Sequence, residues 1–231
     1  MHHAPTLGEL VLQQPEAAVL FERLGLDYCC GGRRTLDEAC SQQGLDAKTV
    51  SAVLDALAEK PRSAELAAHD VARTTITELC DHIVTRHHVP LRGELTRITE
   101  LLDTVVRVHG KDHRELLDLQ RLFATTRTEL ETHLRIEEET LFPACRALDD
   151  GVPAAFNHDL LGLLEDDHAT TGDALAALRE LTGGYRTDAA LCSTHRRLLQ
   201  ALQAFELDMH RHVHEENNVL FARVRVRIAP A

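Results

Sequence analysis

Two histidine-glutamate pairs occur in the sequence with the same spacing and the same downstream neighbours. His133 precedes Glu137 by four residues, His212 precedes Glu216 by four residues, and each pair is followed at the same offset by Leu-Phe. Residues four apart lie on one face of a helix, about one turn from each other. An imidazole and a carboxylate at this spacing can bind one metal ion or two neighbouring ions.

A single histidine precedes each pair at nearly the same distance. His88 lies 45 residues before His133, and His168 lies 44 residues before His212. The sequence therefore contains an internal repeat, in which each half supplies one lone histidine and one His-x3-Glu pair. Four imidazoles and two carboxylates favour iron or manganese over zinc, because six ligands exceed one tetrahedral zinc site. Two cations would also compensate the charge of two buried glutamates.

Other interpretations of these histidines compete with the metal site. One His-x3-Glu pair alone is most often solvated on a helix surface, and it is the doubled pattern that favours a metal centre. His87 lies on the apolar stripe of its helix, so periodicity alone slightly prefers His87 to His88 as a ligand. A ferritin-like oxidase would carry two Glu-x-x-His pairs, and here Glu165 and His168 form only one. The histidines interpreted as surface groups, or as groups that support the ligands, are His82, His158, His195, His210 and His214.

Four long helices are predicted to position these residues. From residue 70 onward, apolar residues recur every three or four positions over residues 70–109, 112–148, 154–182 and 187–227. Glycines separate these segments and can end each helix. Pro90 and Pro143 predict local kinks. Four helices with short connections pack most simply as an up-down-up-down bundle, so we expect an all-α protein.

A smaller helical domain is predicted before the bundle. We place it at residues 1–62 and the bundle at residues 63–231, because small polar residues around Pro61 are typical of a linker. Thr35 and Glu38 form a capping box at the start of one of its short helices. A glycine-rich loop, Leu26 to Arg34, interrupts the helical pattern.

That loop carries two adjacent cysteines, Cys29 and Cys30, followed by Gly31-Gly32. Two cysteines alone cannot complete a structural zinc site, and adjacent cysteines form a disulfide only with strain. Arg33 and Arg34 are expected to lower the pKa of the thiols, so we interpret the pair as a reactive dithiol or an iron ligand. The alternative is a pair of incidental buried thiols. The cysteines predicted to be core residues are Cys40, Cys80, Cys145 and Cys192.

Composition argues against several classes of partner. The chain has 37 acidic and 25 basic residues and a formal net charge of -12. Since no run of Lys and Arg could follow a phosphate backbone, we expect no nucleic acid partner. The apolar runs are far shorter than the roughly 20 residues that span a bilayer, and no signal peptide is recognisable, so we expect no membrane association. Cysteines without regular disulfide spacing favour a cytoplasmic location.

Several motifs together resemble the repair-of-iron-centres family of hemerythrin-like di-iron proteins. They are Leu-Gly-Glu-Leu at 7–10, Asp-Tyr-Cys-Cys-Gly-Gly at 27–32, Asp-His-Ile at 81–83, and the two His-x3-Glu segments at 133–143 and 212–221. The resemblance assigns the first ligand to His88, and it implies a centre of two iron ions with oxo and carboxylate bridges, Glu137 and Glu216 being the bridging residues. The sequence departs from the family pattern at Val89-Pro90, in place of polar residues, and at Ala222, in place of proline.

The same resemblance implies a function and partners. The family repairs iron-sulfur clusters damaged by nitrosative or oxidative stress, so the expected partners are damaged iron-sulfur proteins, with iron supplied from a labile di-iron site. Cys29 and Cys30 would then pass iron or electrons to a client. Nitric oxide reduction at the di-iron site and reversible binding of O2 or NO by a sensor are the alternatives, so enzyme activity stays open. The oligomeric state also stays open, a homodimer being one candidate.

Overall fold

The chain is helical throughout the part that the structure describes. The computed structural model describes residues 4–58, 74–151 and 158–228. Within these ranges, extended residues pair only at an isolated bridge between Thr6 and Thr35. The predicted all-α class is therefore confirmed. The predicted domain boundary between residues 62 and 63 lies outside the described residues.

The chain divides into two compact units. The first comprises Met1–Leu79 together with Val213–Ala231, and the second comprises Cys80–His212. The first unit thus joins the N-terminal helices to the end of the last helix in the chain.

Four short helices open the first unit: α1 Leu7–Gln13, α2 Glu16–Leu24, α3 Leu36–Gln42 and α4 Ala47–Ala58. The predicted capping box of Thr35 and Glu38 is present, and Thr6 forms a second one with Glu9. Each box satisfies two backbone N–H groups at a helix start, which explains why α1 and α3 begin where they do. Buried apolar side chains from all four helices, with Leu26 and Tyr28 of the loop, form the core of this unit.

The predicted four-helix bundle is confirmed, and its helices follow the apolar periodicity. The segments in chain order are α5 Ile76–Ile83, a π turn Val84–His88, α6 Val89–His109, α7 Glu115–Ile136, a π turn Glu137–Leu141, α8 Phe142–Asp149, α9 His158–Leu181, a 3-10 turn Thr187–Ala189, α10 Ser193–His214, a π turn Glu215–Leu220 and α11 Phe221–Ile228. Within the second unit, α7 packs against both α6 and α9. Among the described residues, each helix is too short or too polar to cross a lipid bilayer.

Three of the four cysteines predicted to be core residues are fully buried. These are Cys40, Cys80 and Cys145. The prediction is wrong for Cys192, which is partly exposed because it lies in the turn immediately before α10.

A π turn interrupts the α-helix at each of three predicted ligands. His88 ends the first turn, Glu137 begins the second and Glu216 lies in the third. Pro90 and Pro143 are each the second residue after one of the first two turns, and each lacks the N–H that an α-helix would bond to the carbonyl four residues earlier. The third turn is followed by Ala222 rather than proline. A proline is therefore not required, and all three turns contain a buried residue that the sequence predicts to be a ligand.

Candidate metal centre

Four predicted ligand histidines form two close pairs in the core of the second unit. The Nε2 atoms of His88 and His212 lie 3.1 Å apart, and those of His133 and His168 lie 2.9 Å apart. The four side chains are buried, His133 being the most exposed at 6%. Two nitrogens bound at about 2.1 Å to adjacent positions of one octahedral ion are about 3 Å apart. Each pair therefore has the spacing of two ligands on one ion.

Glu137 lies between the two histidine pairs. Its Oε2 is 3.5 Å from Nε2 of His88, and its Oε1 is 3.3 Å from Nε2 of His133 and 4.0 Å from Nε2 of His168. One carboxylate oxygen thus faces each pair, so Glu137 could contribute a ligand atom beside either histidine pair. The side chain is fully buried, and neither oxygen receives a hydrogen bond from a described residue. Because such a carboxylate is costly unless a cation compensates it, the donor set fits metal ions.

Glu216 is placed by the helix that also carries His212. The helical run from Ser193 to Ile228 is continuous, so the carboxylate lies one turn beyond the imidazole on the same face. Its side chain is fully buried. The interpretation of this glutamate as a solvated surface residue is therefore wrong.

Carboxylates orient two of the histidines from the side opposite their Nε2 atoms. Nδ1 of His88 lies 2.7 Å from Oε1 of Glu138, and Nδ1 of His133 lies 3.3 Å from Oδ2 of Asp167. An Nδ1–H that donates to a carboxylate leaves the Nε2 lone pair available for a metal. Partial burial opposes ionisation of Glu138, but hydrogen bonds from His88 and Arg92 hold its pKa below the ordinary value. The sequence did not predict the contact of Glu138 with His88. The one feature that could have indicated it is the position of Glu138 next to Glu137.

His87 occupies a different position from His88. Its Nδ1 is 3.6 Å from Oδ2 of Asp208, and its ring stacks on the ring of His212 with centroids 5.1 Å apart. The structure therefore brings His88, and not His87, to the Nε2 of His212. The apolar stripe of the helix slightly favoured His87 as the ligand. The structure buries both side chains, and burial alone does not distinguish a ligand from its neighbour.

Substitution of these two neighbours should separate their roles. We expect His88→Ala to lower the metal bound per chain to about half of the wild-type value, because it removes half of one histidine pair. His87→Ala, the matched control, should retain the wild-type metal content. The measurement is metal content by mass spectrometry after anaerobic loading with ferrous iron and desalting. Loss of metal from His87→Ala with retention in His88→Ala would contradict the assignment.

The cysteine loop of the first unit forms a second group of donors. The Sγ atoms of Cys29 and Cys30 are 3.9 Å apart, and Sγ of Cys29 is 3.3 Å from Oδ1 of Asp27. The same oxygen accepts the backbone N–H groups of both cysteines, at 3.2 and 3.0 Å. The three side chains offer donor atoms that all lie within 4.8 Å of one another, so they could hold a metal ion.

The expected lowering of the thiol pKa is wrong for Cys29. Its hydrogen bond with the Cys30 thiol, its burial and the charge of Asp27 all raise the pKa of Cys29 well above the ordinary value. The guanidinium of Arg34 contacts Oδ2 of Asp27, at 3.2 Å, so its charge pairs with the carboxylate. Cys29 is thus a neutral thiol at pH 7, and a bound cation would have to displace its proton.

The five histidines interpreted as surface groups, or as groups that support the ligands, differ in exposure. His82, His195 and His210 are partly exposed. His214 is buried at 4% exposure, and its Nδ1 lies 3.3 Å from the carbonyl oxygen of Tyr28. These two residues are 186 positions apart, and no local pattern in the sequence links them. The side chain of His158 lies outside the described residues.

The buried histidine-glutamate cluster inside a helical bundle defines a cation-binding protein of the hemerythrin class. Residues 79–224 match the family model described as the hemerythrin HHE cation binding domain, and residues 3–58 match ScdA_N, a domain of unknown function. The chain belongs to the family of the iron-sulfur cluster repair proteins ScdA and YtfE, which confirms the resemblance stated from the motifs.

Two relatives show the extent of the match. ScdA of Staphylococcus haemolyticus is 33% identical over 220 residues, which cover 93% of this chain and 95% of the relative. YtfE of Yersinia pseudotuberculosis is 31% identical over 218 residues, which cover 94% of this chain and 95% of the relative. The similarity thus includes both the cysteine loop and the bundle.

Proposed function

We propose that this protein repairs iron-sulfur clusters damaged by nitrosative or oxidative stress, by donating iron from a site that holds two iron ions. The observation that carries the proposal is the position of Glu137, with one oxygen facing each of two histidine pairs. His88 and His212 would hold one ion, and His133 and His168 the other. Glu137 and Glu216 would bridge the two ions. The names of the relatives, which are iron-sulfur cluster repair proteins, support the same function.

The donor set suits an ion that must be released. Four neutral imidazoles and two carboxylates do not cancel the four positive charges of two ferrous ions, so the site holds iron less tightly than a carboxylate-rich site would. Six side chains cannot fill all positions around two octahedral ions even with bridges. An exchangeable position remains for a small ligand or for an incoming donor from a client.

We assign the transfer of iron to the client to Cys29 and Cys30. Thiolates are the ligands of iron in iron-sulfur clusters, and Asp27 adds an oxygen donor to the pair. In the absence of iron, the raised pKa keeps Cys29 protonated. Binding of a ferrous ion would release that proton to water, and its return would favour release of the ion. Proton and iron would therefore exchange at one sulfur.

A tracer experiment tests this function. The full chain is loaded anaerobically with 57Fe and mixed with a dehydratase whose four-iron cluster has lost one iron to peroxide. We expect the client to regain activity and its cluster to contain 57Fe, as Mössbauer spectroscopy would show. An equal concentration of free ferrous iron, held by a chelator, is the control. Recovery of activity without label in the cluster, or no recovery beyond the control, would contradict iron donation.

The alternatives identified from the sequence use the same ions differently. Nitric oxide reduction and reversible binding of O2 or NO both need the two ion positions and an exchangeable position beside them. Neither needs thiols in a separate loop. The dependence of activity on Cys29 and Cys30 therefore distinguishes repair from both alternatives.

A further inference from the structure

Asn218 and His214 both contact the backbone of the cysteine loop. Nδ2 of Asn218 donates hydrogen bonds to the carbonyl oxygens of Tyr28 and Cys29, at 3.3 and 3.0 Å. Nδ1 of His214, one turn earlier, lies 3.3 Å from the same Tyr28 oxygen. Both side chains thus hold the backbone that leads into the cysteine pair.

Two glycines make room for the asparagine. A Cβ atom at Gly32 would lie 2.4 Å from Oδ1 of Asn218 and 2.5 Å from the carbonyl oxygen of Tyr28, and one at Gly8 would lie 2.8 Å from the same Oδ1. The N–H of Gly8 donates to the carbonyl of Gly32 at 2.8 Å, so α1 and the loop enclose the amide from two sides. We call Asn218, His214, Gly8 and Gly32 the loop clamp.

The clamp and the proposed ligand Glu216 share one turn of helix. Glu216 and Asn218 both lie in the π turn Glu215–Leu220, and residues two apart on a helix do not face the same side. A π turn is a rare helical geometry that requires support from its surroundings. A change that shifts this turn at Glu216 would therefore also move Asn218.

We propose that Asn218 is a positioning residue through which occupancy of the iron site controls access to the cysteine pair. With an ion held by Glu216, the π turn would be fixed, and Asn218 would stay hydrogen-bonded to the loop and keep Cys29 buried. Without that ion the turn would relax and expose the thiols. The inference rests on the proposed function, because it requires Glu216 to bind metal.

The test measures thiol modification in the full chain with and without iron. N-ethylmaleimide is added to protein loaded with two ferrous ions or stripped by a chelator, and adducts at Cys29 and Cys30 are resolved by peptide mass spectrometry. We expect removal of iron to speed modification of Cys29 by about fivefold or more in the wild type. In Asn218→Ala, modification should be about tenfold faster than in the loaded wild type, whether or not iron is present. Its iron content should stay at two ions.

Three comparisons make the outcome decisive. Asn218→Asp keeps the side-chain shape but removes the donor, so it should behave as Asn218→Ala does even if the smaller residue loosens the fold. Gly32→Ala should also release the loop, whereas Gly93→Ala, where a Cβ meets nothing within 4 Å, should not. Cys192 in the other unit serves as an internal reference for the reagent.

The outcomes of the thiol-modification test that contradict the proposal are distinct from the one that contradicts the proposed function. Equal rates in loaded and stripped wild type, or a wild-type rate in loaded Asn218→Ala and Asn218→Asp, would overturn the coupling. Protection by iron that persists in both variants would also overturn it, because it would mean that iron binds the thiols directly. A wild type that retains no iron after desalting would instead reject the proposed function.

Discussion

Glu137→Gln is expected to lower the iron content from two ions to at most one per chain. The amide keeps the volume of the carboxylate but presents an oxygen to one histidine pair and an NH2 group to the other, where the carboxylate presents two oxygens. An NH2 group does not bind iron. Two dications a few ångströms apart also repel each other strongly without a bridging anion. The measurement is iron content together with the Mössbauer spectrum, in which magnetic coupling between two ions should disappear.

Glu137→Gln should make the metal-free protein more stable and the iron-loaded protein less stable than the wild type. Without metal, the buried carboxylate of Glu137 has no hydrogen-bond partner among the described residues, and such a group costs about 1–3 kcal/mol or more. The metal-free variant should therefore unfold at a higher temperature than the metal-free wild type, by about 3–10 °C. With iron at about 100 times its Kd, each occupied site stabilises the wild type by about 2.7 kcal/mol, so the order should invert.

Glu139→Gln is the matched control for both measurements. It lies in the same π turn, makes the same chemical change and is exposed. It should change neither the iron content nor either unfolding temperature. If Glu137→Gln retained two coupled ions, or if it were less stable than the wild type in the absence of metal, the bridging role of Glu137 would be contradicted.

The repeat in the sequence predicted which buried histidines and glutamates lie close together, because their positions are set by helix periodicity. A spacing of four residues fixes His133 to Glu137 and His212 to Glu216 on one helical face whatever the rest of the fold does. The apolar pattern likewise predicted the bundle, and the capping box at Thr35 predicted the start of α3. These features depend on residues within one or two turns of each other.

The features that the sequence did not predict depend on contacts between distant segments. Each π turn contains a buried residue that is predicted to be a ligand, and the turn without a proline at Ala222 has no local marker in the sequence. The contact of His214 with Tyr28 joins residues 186 apart. The pKa of Cys29 was misjudged because Arg34 is close in sequence, whereas the structure pairs its charge with Asp27. Electrostatic environment follows from the fold, so proximity in sequence is a weak guide to it.

The double substitution of Cys29 and Cys30 by serine is expected to abolish repair while leaving the iron site intact. Serine is nearly isosteric with cysteine, so the hydrogen bonds of Asp27 to the loop backbone should remain. Its hydroxyl is a hard donor that does not ionise near pH 7, so it cannot replace a thiolate as a ligand for iron. We expect transfer of 57Fe into the damaged client to fall at least about tenfold. Iron content and the Mössbauer spectrum of the loaded variant should match those of the wild type.

Nitric oxide binding by the double serine variant shows whether the loss is specific for repair. The serine variant should bind nitric oxide at the di-iron site as the wild type does, because none of the six proposed ligands is changed. Cys192→Ser, which alters a partly exposed thiol in the other unit, should transfer iron normally. Transfer at the wild-type rate by the double variant would remove the cysteine loop from the mechanism. If the double variant lost its bound iron as well as the transfer of iron, the thiols would be required for iron to be held at all. The loop would then support the site and would not pass iron to the client.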